Sequence, residues 1–191
     1  LPLAFDSKAY EVNLSFTRMG GVWRTALVLP VGKNQCAALL SVRLNPSAPP
    51  NGGIAIIDGK RIWKNPTLKA HAEINDGKPH QLRCVVRTDG RAARMSIWLD
   101  GVAMADWQGA VASLSVEDFE QPAKPGRLAI TVSDGEFRLH GLSLQMVNGA
   151  AKLDADARTS AQVAPNAPRD SERQDLGIFS RDPSELKPPS E

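Results

Sequence analysis

An all-β sandwich or barrel is the fold class that this sequence predicts, and two observations predict it. Apolar and polar residues alternate over the first three-quarters of the chain, which is the period of a half-buried strand. Asp-Gly occurs five times, at Asp58, Asp76, Asp89, Asp100 and Asp134, each between or beside such runs. Asp-Gly tolerates the positive φ angles of tight hairpin turns, so its recurrence points to antiparallel connections.

The alternation starts in "YEVNLSFT", with Tyr10, Val12, Leu14 and Phe16 on one face and Glu11, Asn13, Ser15 and Thr17 on the other. It returns in "WRTALVLPV" (Trp23, Thr25, Leu27, Leu29, Val31) and "CAALLSVRL" (Cys36, Ala38, Leu40, Val42, Leu44). "LRCVVR" (Leu82, Cys84, Val86) and "MSIWL" (Met95, Ile97, Leu99) repeat it. The loop "NPSAPPNGG", Asn45 to Gly53, is expected not to form regular strand, since its prolines lack ladder donors and its glycines have no side chain to pack. "LSVEDFEQPAKPG" has room for one helical turn after Ser115 before Pro122 and Pro125 end it. The last run, "EFRLHGLSLQM", changes parity at Gly141, with Phe137 and Leu139 before it and Leu142, Leu144 and Met146 after. A β-bulge there would keep both halves on the core. About ten strands result, and any helix is minor.

After Asn148 the chain becomes polar and proline-studded. Residues 1–148 are therefore expected to form the domain and 149–191 a disordered tail or linker, with "LGIF" at Leu176 to Phe179 as a docking element. A length of 191 residues with 42% hydrophobic content is enough for one self-sufficient core. Twenty-three basic against 21 acidic residues, a net charge of +2, is too near balance to call for nucleic acid. No apolar stretch approaches the roughly 20 residues that span a bilayer, so no membrane insertion is expected within this segment. Because the chain opens on Leu-Pro-Leu, a mature form or excised domain is expected. Cys36 and Cys84 lie in apolar runs without metal-ligand spacing and are expected to be buried free thiols, with a disulfide as the alternative.

Several segments, taken in order, carry a resemblance: "YEVNLSFTR", "LVLPVG", "IDGKRIWKNPT", "NDGKPHQLRCVVRTDGRAARMSIWLDG", and "DWQG" followed by "LSV". Together they resemble bacterial modules of the concanavalin A-like lectin/glucanase superfamily, two-sheet jelly rolls that include laminin-G-like and pentraxin-like domains. The likeness runs from Tyr10 to Met146, and its most specific part is the "DGKPH" turn opening a long strand before "WLDG". It implies a two-sheet antiparallel jelly-roll sandwich whose concave face or rim loops bind carbohydrate in many relatives, while others hydrolyse glycans or bind proteins. It also implies an extracytoplasmic or cell-surface setting within a larger bacterial protein. Fold alone chooses among none of these functions.

Glucanase-type relatives place two carboxylates about 5 Å apart for a retaining mechanism, using a Glu-x-Asp-x-x-Glu strand motif. This chain has no such segment, and Glu117, Asp118 and Glu120 read as a solvated acidic turn. There is no Gly-x-Ser-x-Gly elbow, and of the three histidines His80 occupies a structural position at a strand start. The expectation is that the chain is not an enzyme. No cofactor is called for; calcium at the Asp-Gly loops is an option that turn formation makes unnecessary.

Trp98 lies on the side opposite Met95, Ile97 and Leu99, where it can stack against a sugar ring or pack beneath the Asn45 to Gly53 loop. Trp63 lies in "IDGKRIWKNPT" beside Arg61, Lys64 and Asn65, as a stacking plane with donors or as a cap over the core. Trp107 matches a tryptophan of the resembling modules, which implies packing. Arg24, Arg43, Arg83 and Arg87 fall on the non-core phase of their strands, a surface for acidic glycans or simply a solvated face. The candidate ligand-binding residues are thus Trp98 and Trp63, with Asn65 and Arg24 as polar partners. The expected function is a non-catalytic carbohydrate-binding module. A protein-interaction or assembly domain is the alternative, and glycan hydrolysis comes third.

Overall fold

The computed structural model describes residues 3–42, 49–71, 74, 76–122 and 126–153. Among them the ordered elements are β1 (Leu3–Val31), β2 (Asn34–Val42), β3 (Asn51–Ile54), β4 (Ile56–Ile57), β5 (Lys60–Arg61) and β6 (Lys69–Ala70). There follow β7 (Pro79–Thr88), β8 (Ala92–Leu99), β9 (Val102–Ala110), β10 (Leu114–Ser115) and β11 (Ala129–Leu153). Helical structure is confined to three single 3-10 turns, Ile62–Lys64, Val111–Ser113 and Asp118–Glu120. The fold is an all-β antiparallel sandwich, as the alternation predicts.

β1 runs for 29 residues and belongs to both layers. Its first half, Ala9 to Thr17, pairs with β7, and its second half, Thr25 to Val31, pairs with β2. β11, 25 residues long, accompanies it antiparallel along both halves. The front sheet is therefore β11-β1-β7-β8-β9 and the back sheet β11-β1-β2-β3-β6. Strands that change sheet at a bend or bulge are the usual corner of such sandwiches. Here the corner is marked by register shifts between Arg18 and Gly20 and between Gly21 and Arg24. Gly21 has φ 91°, and a Cβ on Gly135 would come within 2.9 Å of the Gly20 carbonyl oxygen, so β11 passes too close to β1 for a side chain at 135.

The layers are joined by named contacts. The Tyr10 hydroxyl donates to the Pro30 carbonyl, tying together residues 20 apart in the same bent strand. Burial pushes the Tyr10 phenol well above its ordinary pKa and so keeps it a neutral donor. The core between the sheets takes Tyr10, Val12, Leu14 and Phe16 from β1 and Leu82, Cys84 and Val86 from β7, together with Met95, Ile97 and Leu99 from β8. Trp107, 8% exposed, belongs to it. Cys36 and Cys84 are free buried thiols, both with raised pKa through burial, and Cys36 Sγ lies 3.4 Å from Met95 Sδ.

Alternation reads the front sheet correctly and the back sheet only partly. In β2 and the second half of β1 both phases are buried, because Ala26, Val28, Ala37 and Leu39 form a second cluster on the outer side with Ala55 and Ile62. The chain between β3 and Leu68, together with the small sheet β10-β4-β5, supplies this cover. Double burial removes the polar phase that marks a one-sided strand.

Asp58-Gly59 and Asp100-Gly101 make hairpin turns with positive φ at both residues (51° and 69°; 50° and 78°). Asp134-Gly135 is no turn: it lies inside β11, at the corner. The expected bulge near Gly141 is present, with Ser15 opposite Gly141 and Phe16 opposite Leu139, so that His140 is the extra residue. Leu139 is nevertheless 42% exposed, since β11 has no neighbour on its outer edge to cover it. The expected helical turn after Ser115 is the 3-10 turn Asp118–Glu120.

The Asn45 to Gly53 segment needs correction. Its end, Asn51–Ile54, is strand β3, paired with β2 and β6. The glycines are used for close approach: Gly53 has φ 146°, and a Cβ there would collide with the Thr67 carbonyl oxygen. β11 continues past Asn148 to pair Leu153 with Leu3. The rest of the expected tail, "LGIF" included, lies outside the described residues, as do Arg43 and the Trp23 side chain.

Gly53→Ala combines a disfavoured φ with a backbone collision and is expected to lower unfolding stability by at least about 2 kcal/mol in urea titration. Tyr10→Phe, which keeps the ring and loses the tie to Pro30, is expected to cost about 1–2 kcal/mol by the same measurement.

Candidate functional site

Among the described residues the back sheet is covered on its outer side, and the front sheet is not. The outer side of the front sheet is built by the non-core phase of five strands whose register aligns them in rows. Ser143, Asn13, Arg83, Trp98 and Ala103 form one row across β11, β1, β7, β8 and β9. Gln145, Glu11, Val85, Ser96 and Asp106 form the next. Arg87, Arg94 and Gln108 follow on β7, β8 and β9, level with Ala9 of β1.

Trp98 sits in this face, half-buried, and the Arg83 guanidinium lies over its ring at 4.8 Å from the centroid. Arg83 is itself held by two parallel bonds to Glu11, from Nε at 2.9 Å and Nη2 at 2.8 Å. Asn13 donates to the same carboxylate at 3.0 Å. These bonds, Arg83 first, hold the Glu11 carboxyl down to about 2 from 4.5. One row on, Asp106 accepts from Arg94 Nη2 at 2.9 Å and from the Ser96 hydroxyl at 2.9 Å, which also lowers its pKa, Arg94 contributing most. The result is a flat polar surface with one tryptophan in it, whose side chains are fixed by one another.

The other candidates are elsewhere. Trp63 and Asn65 belong to the cover of the back sheet, and Arg24, on β1, is bonded to the Asp118–Glu120 turn. Arg24, 12% exposed, bonds through Nε to the carboxylate of Glu120, which is 0% exposed, and its guanidinium stacks 5.0 Å from the Phe119 centroid. Breaking a buried pair of this kind costs about 3–5 kcal/mol, against about 0–1 for a surface pair, so the bond to Glu120 commits Arg24 to the fold. Burial holds the Glu120 carboxyl above its ordinary pKa, with the Arg24 charge opposing. The acidic turn is therefore not solvated as expected: Glu120 caps it from inside, and Glu117 pairs with Arg61 at 3.0 Å. Arg61 in turn lies 5.7 Å from the Trp63 ring, which packs on the second cluster.

Asn65, 7% exposed, turns its whole amide inward. Its Nδ2 donates to the Ile54 carbonyl at 2.8 Å, and its Oδ1 accepts from the Thr67 amide at 3.0 Å and the Thr67 hydroxyl at 2.7 Å. It stitches the covering loop to β3. The structure thus gathers three of the four candidates into a structural network and leaves Trp98 alone on the open face. Alternation along the strand places Ser96 beside Trp98, as the structure does, but the sequence reading does not identify Glu11, Asp106 and Arg94 as its companions.

His80 is also accounted for: its Nδ1 pairs with Asp100 at 2.7 Å, in the turn that leads from β8 to β9, and its ring lies 5.7 Å from Phe16. Among the described residues no group of three or more His, Cys, Asp and Glu side chains could hold a metal ion, and no helix is long and apolar enough to cross a membrane.

No family model and no curated protein sequence matches this chain. Among solved structures, it is similar to that of a glycosyl hydrolase family 16 protein from Mycobacterium smegmatis str. MC2 155, with 18% identity and a TM-score of 0.31. The match covers 78% of this chain and 60% of that one, so this chain spans less than two thirds of the relative's length. The expectation that the chain is not an enzyme is corrected here, because a glycosyl hydrolase stands among the structures it matches. A missing local motif is also a weak physical ground for that exclusion, since strands distant in sequence can bring two carboxylates together. At this level of likeness no activity is assigned to the chain in its place.

Proposed function

We propose that this chain is a carbohydrate-binding β-sandwich domain whose ligand lies across the outer side of the front sheet. The observation that carries the reading is Trp98: among the tryptophans whose side chains are described it is the one on the open sheet face, and its ring is steadied by an arginine that is itself fixed by Glu11. An aromatic plane flanked by oriented polar groups is what binding a sugar ring requires, since the ring has an apolar side and a rim of hydroxyls. Donors and acceptors locked before binding lose little entropy on engagement. The resemblance to concanavalin A-like modules supports the same reading and, with it, an extracytoplasmic setting.

A second reading has one observation in its favour. Among the described residues β11 pairs only with β1, and it exposes Val132, Leu139 and Val147 at 38%, 42% and 57%. An open edge of this kind can accept a strand from a protein partner.

Glycan-array binding by the protein is expected to fall by about tenfold or more on Trp98→Ala, with folding checked by circular dichroism. Absence of binding across neutral and acidic glycans would sink the carbohydrate reading and favour the β11 edge.

The Glu11–Arg83 pair that steadies Trp98 has a pH signature. A carboxyl whose pKa is lowered on folding contributes stability above its unfolded value of 4.5, and that contribution disappears as the pH falls toward 2. Glu120 acts in the opposite sense, since its pKa is raised: its protonation on acidification relieves a buried charge. In urea titrations, Glu11→Gln is expected to be less stable than the parent at about pH 6, the gap closing by about pH 2. A gap that does not change with pH would show that Glu11 acts through packing rather than charge.

A further inference from the structure

The rows of the front face are not uniform in charge balance. Glu11 answers Arg83, and Asp106 answers Arg94. Beyond them, at the end of the face where β1 begins and β7 turns into β8, lies an open groove of about 560 Å³ lined by Lys8, Arg87, Asp89, Arg94, Gln108 and Val147. Lys8 and Arg87 are exposed, and among the described residues neither has an ion-pair partner. The one carboxylate in the groove wall, Asp89, is turned to its own turn, where it accepts from the backbone amides of Arg91 and Ala92 at 2.8 Å each. Arg94 is oriented by Asp106 on the neighbouring strand. The groove therefore presents two unanswered cations beside a third whose direction is fixed.

Register relates this groove to Trp98. Arg87 and Arg94 occupy the same face of β7 and β8 as Arg83 and Trp98, four residues along each strand. At about 3.3 Å per residue the two rows are roughly 13 Å apart. An oligosaccharide spans that distance, and a monosaccharide does not. Arginine's planar fork suits the two oxygens of a carboxylate or sulfate.

Resting on the carbohydrate reading above, we propose that the Lys8–Arg87–Arg94 groove binds an anionic substituent, sulfate or carboxylate, of an oligosaccharide whose next rings extend to Trp98. The ligand class is thereby narrowed to acidic glycans at least a few residues long.

The test measures affinities of the full chain at low ionic strength for a heparin-derived hexasaccharide, a hexagalacturonate, neutral maltohexaose and cellohexaose, and inorganic sulfate. At least one acidic hexasaccharide is expected to bind about tenfold more tightly than either neutral one, the scale of one charge-assisted contact. That preference should vanish in the doubly substituted Lys8→Ala, Arg87→Ala protein, which retains its circular dichroism spectrum. It should persist in the doubly substituted Lys33→Ala, Lys60→Ala protein, which removes an equal charge from the β1–β2 turn and β5. Which of the two acidic glycans binds tells sulfate from carboxylate.

Trp98-dependent binding of a neutral hexasaccharide with no preference for charge would overturn this inference and leave the carbohydrate reading intact. So would a preference that survives the double substitution, or inorganic sulfate binding as tightly as the oligosaccharide. No binding of any saccharide would overturn both.

Discussion

The structure depends on the bend in one long antiparallel ribbon. β1 and β11 pair along both halves of the sandwich, and each layer is assembled by adding strands to one half of β1. At the corner Gly21 lies opposite Gly135, and glycine at 135 lets β11 come close to the Gly20 carbonyl oxygen. Once the ribbon is bent, the two core phases of β1 face each other, and Tyr10 can reach the Pro30 carbonyl across the interior. The partition of the other strands then follows from which half of β1 each one meets. β7, β8 and β9 form consecutive hairpins on one side; β2, β3 and β6 form the other.

That partition also decides which face is free. The connection after β3 folds back over the back sheet, and it does so under several local constraints. Gly53 permits close approach to Thr67, Asn65 satisfies the carbonyl of Ile54 and both polar groups of Thr67, and Glu120 reaches Arg24 from the far side. A loop that must bury its backbone on a sheet has to supply such partners, because each unmet buried group costs about 1–3 kcal/mol. Among the described residues the front sheet has no comparable loop, and β7, β8 and β9 are joined by tight turns at Asp89-Gly90 and Asp100-Gly101. Short hairpins carry no chain to spare for a cover.

This contrast explains what could be read in the sequence. Front-sheet strands alternate because one side is wet, so Tyr10, Leu82, Met95 and their phase-mates were assignable to the core, and Trp98 to the opposite side. The back sheet hides the same signal, because Ala26, Val28, Ala37 and Leu39 are buried on the side where polar residues were expected. Arg24 was misplaced for that reason: phase put it on a surface, but the surface is covered, and its partner Glu120 is 96 residues away in a turn that looked solvated. Asn65 has the composition of a sugar-binding residue and the geometry of a loop organiser, and composition cannot tell them apart. Asp134-Gly135 carried a turn signature into the middle of a strand because close backbone approach and tight turns ask for the same residue. For Arg24 and for Asp134-Gly135 the missing information is a contact distant in sequence.

The charges of the front face separate what stabilises from what is left over. Arg83 and Arg94 each have a carboxylate on a neighbouring strand, which accounts for them as cross-strand pairs. A face used only for solvation would show that balance throughout, since unmatched like charges on adjacent strands repel and weaken pairing. Arg87 stands directly opposite Arg94 on β8, close to Lys8, and among the described residues it has no ion-pair partner. The anionic substituent proposed above would offset that repulsion. Trp98 shows the same logic in apolar terms: a large ring placed on the wet side of a sheet forgoes burial in the core, which Trp107 on the next strand obtains. An aromatic ring and uncompensated cations on one rigid face make sense together when the partner has an apolar side and an acidic group.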